Sequence, residues 1–118
     1  MIPPGTDPAL EVAIRAARRA GSVLLDAARD LARLPSHVKA SDIVVQTDGE
    51  AEDAIVATLR GAFPNHAILG EESGHIPGAR EGSGHKWLID AIDGAVNFTH
   101  GVPHYCVSIA LASGTRLT

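Results

Sequence analysis

Two aspartates, Asp90 and Asp93, stand three residues apart in the stretch WLIDAIDGAVNF, residues 87–98, between apolar neighbours. Two glutamates, Glu71 and Glu72, follow the apolar run AILG. Each pair falls where a strand-like segment meets a turn, and a strand end puts such groups at one rim of a sheet, where ligands bind. Carboxylates that converge on one spot do not all stay ionised without a compensating cation. Hard oxygen donors of this kind suit Mg2+ or Mn2+. Gly94 and the residues after it would open a helix, whose free N–H groups favour an anion. Carboxylates for a metal beside N–H groups for a phosphate point to phosphoryl transfer. The competing reading treats Asp93-Gly94 as a turn dipeptide and Glu71-Glu72 as solvated surface.

Other acidic sites fit less well. A dehalogenase-type phosphatase has one residue between its two aspartates, whereas Asp90 and Asp93 have two. The alternating ligands and closing glutamate of an EF-hand are missing, and the His and Cys spacing fits no zinc site.

The elements that must position these residues follow from the pattern. Asp7-Pro8 is a capping carboxylate with proline at the first helical position. Leu10, Ile14, Ala17, Gly21, Leu24, Ala28 and Leu31 recur at steps of three and four, which predicts one long helix closed before Pro35. The small residues Ala17, Gly21 and Ala28 would let another element approach closely. Ile43 to Val45 are β-branched and predict a strand. Thr47 with Glu50 resembles a capping box, with Asp48 as an alternative cap, for a second helix with Ala51, Ile55, Leu59 and Ala62 on its apolar face. Gly61 and Pro64 would close that helix. AILGEES predicts a strand and a polar turn, the glycine-rich stretch 74–84 a surface loop, KWLIDAI a strand, and HYCVSIALA a last strand. Trp87, Phe98 and Cys106 read as core, His100 and His104 as surface or turn residues. Strands alternating with helices predict a layered α/β or α+β domain.

With 118 residues the size expectation is one domain, and 45% apolar residues support a packed core. A net charge of −4 offers no basic footprint, so neither a nucleic-acid nor a membrane partner is expected. The single cysteine excludes an internal disulfide. Together with the absence of a membrane-length apolar run or a secretory leader, it predicts a cytoplasmic protein.

The motifs resemble the inositol monophosphatase family, whose first signature runs W-x-[IV]-D-P-[IL]-D-G-T-x-N-F. The similarity runs from about Lys39 to Leu111 and takes in KASDIVVQTDGEAEDAIVATLRGAFPNHAILGEES and WLIDAIDGAVNFTHGVPHYCVSIAL. The resemblance implies an α+β layered sandwich and a Mg2+-dependent phosphate monoesterase in which metal-activated water attacks the phosphate. It also implies two or three ions in the complete site. It identifies Glu71 with a carboxylate shared by two metals, places Glu72 beside it, and adds Asp90, the Ile92 carbonyl and Asp93 as ligands. Gly94 and Ala95 match the residues whose N–H groups meet the phosphate. Asp48 matches the aspartate that orients the attacking water together with a threonine hydroxyl. The implied substrate is a small phosphorylated metabolite such as inositol monophosphate.

Two departures stand out. Ala95 occupies the family's threonine position, so it keeps the N–H and lacks the hydroxyl; Ala91 replaces proline. The second signature, W-D-x-A-A-G, is not in this sequence, and family members are more than twice as long. The expectation is therefore a truncated chain, residues 1–118 forming the N-terminal metal-binding portion. An impaired family member acting as a metal- or phosphate-binding or interaction module, as a homodimer or paired with a full-length relative, is the alternative.

Overall fold

The computed structural model describes residues 7–79, 84–101, 105–113 and 116–117. Helix α1 (Pro8–Leu31) starts where the sequence places it: the Asp7 carboxylate accepts from the Ala9 N–H at 2.7 Å, with proline at the first helical position. Its buried stripe is Val12, Ala16, Ala20, Leu24 and Ala27, with Ala28 and Leu31 packed alongside. The stripe predicted from Leu10 is therefore offset in its first half. Leu10 is 53% exposed, and Ala16, Ala20 and Ala27, not Ala17, Gly21 and Ala28, form the close seam. An alanine-rich helix has nearly equivalent faces, and contact with its neighbours selects the one whose side chains are small enough.

Helix α2 (Ala40–Ala62) is continuous, which corrects both the predicted strand at Ile43–Val45 and the predicted caps at Thr47 and Asp48. Thr47 Oγ1 donates to the Ile43 carbonyl one turn back at 2.7 Å, and Gln46 Nε2 donates to Glu50 Oε1 at 2.9 Å. Val44 and Thr47 are buried on the same side as Ala51, Ile55 and Leu59. The β preference of one branched residue spans about 1 kcal/mol and depends on context, less than the roughly 1.5–3 kcal/mol from fully burying a Val side chain such as that of Val44. Tertiary packing therefore decides. Arg19 Nη1 donates to Thr58 Oγ1 at 3.1 Å and ties the two helices together. Gly61 and Ala62 lie in the last turn, exposed, and Phe63 closes the helix just before Pro64.

The sheet has the order β2-β1-β3-β4-β5, with β1 (Ala67–Gly70), β2 (Gly74–Ile76), β3 (His85–Asp93), β4 (Cys106–Ser113) and β5 (Arg116–Leu117). Strands β1 and β3 are parallel and every other neighbouring pair is antiparallel. The stretch predicted as a loop from residue 74 thus begins with a short strand; residues 80–83 lie outside the described set, as does His104. Alternation puts Ile68, Trp87, Ile89, Ile109 and Leu111 on the face under α1 and α2. Leu69, Leu88, Asp90, Ser108 and Ala110 take the opposite face. Helix α3 (Ala95–Thr99) is anchored by buried Phe98, which meets Tyr105 edge-on at 4.7 Å. The result is an α+β domain with helices layered on one face of a mixed sheet. Trp87 and Phe98 are core and His100 is exposed, as expected; Cys106, expected inside, is exposed. Its ladder position faces away from the helices. Among the described residues no helix is long and apolar enough to cross a membrane.

At the other end of the sheet the Trp87 indole N–H donates to His66 Nδ1 at 3.1 Å, Phe63 stacks on the His66 ring, and His85 meets it at a tilt of 49°. Burial first, then His85, lowers the His66 pKa below its usual 6.5.

Two outcomes follow from this packing. Val45 is 64% exposed on a helix, so Val45→Ala raises the unfolding free energy in urea by roughly 0.5 kcal/mol; in a strand it would lower it. Because the unfolded chain holds a proton on His66 more tightly than the folded chain does, stability is full above about pH 6.5 and falls as the pH drops below it. Urea titrations at pH 7.5 and 5.5, followed by Trp87 fluorescence, are expected to show this loss and to show less of it in His66→Phe.

Candidate functional site

The acidic residues gather at one end of the sheet because of a register shift. Asp90 pairs with Ser108 and Asp93 with Cys106, so three steps along β3 match two along β4. The extra residue is a β-bulge, and Ala91 and Ile92 are consecutively buried across it. In a regular strand residues three apart face opposite ways. Here Asp90 and Asp93 lie opposite Ser108 and Cys106, two positions on one side of β4. Asp90 Oδ1 accepts from the Ile92 N–H at 3.2 Å, which pins the bulge, and the Cys106 thiol lies 3.9 Å from Asp93 Oδ2 as a weak donor.

The turn after β1 carries the two glutamates, both exposed. Glu71 lines an open cleft of about 530 Å³ on the helix-free face together with Asp90, Leu69, Leu88 and Ser108. Glu72 acts on Asp48, which α2 brings to the same rim. Partial burial, then the charges of Glu72, Glu52 and Asp90, push the Asp48 carboxyl up to about 6. Its Oδ1 is buried and has no hydrogen-bond partner.

Glu52, one helical turn beyond Asp48, is a residue the sequence reading passed over. It is fully buried and accepts from the Glu72 N–H at 3.2 Å (Oε2) and from the Ser73 N–H at 2.7 Å (Oε1). The signal was present: Glu52 shares the helical face of Ile55 and Leu59, where an unpaired charge has no place.

Gly94 connects β3 to α3 in the left-handed region (φ 92°, ψ 38°), a conformation open to glycine. Ala95 is the first residue of α3, half-buried, and its carbonyl accepts from Thr99 Oγ1 at 2.8 Å. Helix α3 packs against α2, the helix that carries Asp48.

Among the described residues no three His, Cys, Asp or Glu side chains close on one point tightly enough to hold a metal ion. The donor set nonetheless suits a hard cation. Glu72, Glu52 and Asp90 each disfavour the charged form of Asp48, and a buried oxygen of that carboxyl lacks a partner. The structure brings together Asp48, Glu72, Asp90 and the unforeseen Glu52. Glu71 shares the opposite cleft with Asp90, and Asp93 stands exposed at the end of the bulge.

The site is thus a set of carboxylates at one rim of a layered α+β domain. Residues 6–118 match the Inositol monophosphatase family, and the chain belongs to it. It is 48% identical over 111 residues to the Nus factor SuhB of Pseudomonas aeruginosa, covering 93% of this chain and 41% of that protein. It is 41% identical over 105 residues to the Nus factor SuhB of Vibrio cholerae, covering 88% and 39%. The crystal structure of the extragenic suppressor protein suhB from Bartonella henselae superposes with a TM-score of 0.80 at 35% identity, covering 95% of this chain and 42% of that one. The inositol monophosphatase from Anabaena (Nostoc) sp. PCC 7120 superposes with a TM-score of 0.73 at 31% identity, covering 92% and 36%. The chain spans about two-fifths of the length of these relatives.

Asp48 provides a direct check on the electrostatics. Its raised pKa means that the folded chain binds a proton more tightly than the unfolded chain, so its contribution to stability falls as pH rises from about 4 to about 6. Without metal, Asp48→Asn is expected to raise the melting temperature at pH 7.5 and to change it little at pH 4.5. An equal gain at both values would show that the like charges are not the cause.

Proposed function

We propose that this chain carries the metal- and phosphate-binding part of a Mg2+-dependent phosphomonoesterase acting on a small phosphorylated metabolite, such as an inositol monophosphate, in the cytoplasm. The observation that carries the reading is the Asp48 site. A carboxyl raised to about 6 by burial and three neighbouring acids, with one oxygen buried and unpartnered, sits on α2, which packs against α3, the helix that begins at Ala95. Family membership gives that arrangement its reaction class.

In this reading Glu71, Glu72, Asp90, the Ile92 carbonyl and Asp93 hold Mg2+, in two or three ions for the complete site. Bound Mg2+ would supply Lewis-acid stabilisation of the phosphate and lower the pKa of a coordinated water. Asp48 would orient the attacking water and accept its proton, and Glu71 would help to orient that water from its place among the metal ligands. The N–H groups of Gly94 and Ala95 face the phosphate, where the positive φ of Gly94 turns the backbone out of β3. Ala95 offers no hydroxyl to relay a proton toward Asp48. General acid–base assistance of that kind contributes about two to four powers of ten in rate.

A second reading rests on two observations, Ala95 and the name Nus factor carried by the relatives. In it the chain is an interaction module, alone, as a homodimer or with a full-length relative, and chemistry is secondary. The acidic net charge argues against direct nucleic-acid binding; the relatives' name keeps that question open to a gel-shift assay with RNA.

Phosphate release from inositol 1-phosphate with Mg2+ separates the readings. The phosphatase reading expects weak turnover that Ala95→Thr raises by about 100- to 10,000-fold and Asp93→Asn abolishes. No turnover from either the chain or Ala95→Thr would end it, and light scattering would then test for assembly.

A further inference from the structure

Among the described residues the buried polar side chains are Thr47, Glu52 and Thr58. The two threonines bond to carbonyls of their own helix, Ile43 and Ala54. Glu52, the charged one, reaches 20 and 21 residues along the chain to the N–H groups of Glu72 and Ser73. Gly70 completes its receptacle. A Cβ at Gly70 would overlap Glu52 Oε1 and lie 3.1 Å from Ile89 Cγ1, so only glycine leaves room for the carboxyl. Helix face, glycine and two amides thus form a fitted seat for one buried acid.

Burying a carboxylate is unfavourable even when it is hydrogen-bonded, and an apolar side chain of similar volume would fill the same space without that penalty. The 71–73 turn lies at the surface, while its Glu72 and Ser73 N–H groups point inward to the buried carboxyl. What the carboxyl adds is a fixed geometry for the turn.

We propose that Glu52 is a positioning residue: from inside the helix–sheet interface it fixes the 71–73 turn and so orients the Glu71 and Glu72 carboxylates toward the cation of the site. The orienting half of this statement rests on the function proposed above; the turn-fixing half does not. Glu52 acts through its neighbours, as outer-shell partners of metal ligands do. Its reach also ties the position of the turn to α2, the helix that carries Asp48.

Amide hydrogen exchange on the 118-residue chain without metal tests the first half. In Glu52→Gln the side-chain amide keeps one acceptor and turns an N–H toward the other donor. Exchange at Glu72 or Ser73, or at both, is expected to accelerate about tenfold, while the Ile55 and Leu59 amides of α2 keep their protection. Unchanged exchange at both turn amides would overturn the proposal. Gly70→Ala provides an independent route. It is expected to loosen the same amides in the native chain and to add nothing once Glu52 is alanine; additive losses would show that the two residues do not act through each other. A Mg2+ titration then tests the second half, with about ten- to a hundredfold weaker binding expected in Glu52→Gln. Equal affinities would refute the positioning role. If the native chain itself binds no Mg2+, the phosphatase reading fails, and the exchange result still decides whether Glu52 holds the turn.

Discussion

Like charges held close together are the constraint on which the rest of this structure depends. Two unit charges about 4 Å apart near a protein surface repel by about 4 kcal/mol, and this chain draws acids from three separate segments to one rim. Each arrives by a different local device. Helix α2 projects Asp48 and Glu52 from its buried face, a tight turn after β1 presents Glu71 and Glu72, and a bulge in β3 aligns Asp90 with Asp93. The opposing free energy is supplied elsewhere, by an interface in which Ala16, Ala20, Ala51, Ile55, Leu59, Trp87 and Phe98 are excluded from water. Unfavourable local arrangements of this kind are expected where a protein meets its ligand.

Helix α2 is the hub of this arrangement. It pairs with α1 along an alanine seam, covers β3, supports α3 and delivers two of the acids. Its N-terminal half therefore has to be helical. As a strand, Val44 and Thr47 would leave the seam and Asp48 would lose its registration with Glu52. The same helix packs against α3, the short helix that Ala95 begins.

The parts legible in the sequence were those determined by neighbours in the chain. Asp7 and Pro8 start α1, Gly94 turns the chain out of β3, and Trp87 and Phe98 fill the core, because capping, positive φ and large apolar volume are properties of one or two residues. The face of α1 was read one step out because alanine reports weakly on which side is inside. Ile43–Val45 was misread because branched side chains favour a strand in isolation, while the partner that overrides them, α1, is distant in the chain. The acids at 71, 72, 90 and 93 were legible as candidates, and the way they meet was not. The bulge appears only against β4, and Glu52 gains its meaning from amides twenty residues away.

The bulge has one more consequence, and it concerns how such a sequence can change. Along a strand, the face on which a side chain appears is a matter of parity: odd spacings separate two residues, even spacings unite them. Asp90 and Asp93 are an odd number apart and still share a side, because one residue between them is not counted by β4. Replacing Ala91 alters stiffness and leaves the count intact. Deleting it, or adding a neighbour, would restore an ordinary ladder or shift the whole strand end, moving Asp93 away from Asp90 or sliding Gly94 off its corner. Substitution is thus an open route for variation at this corner, and a change in length is a closed one.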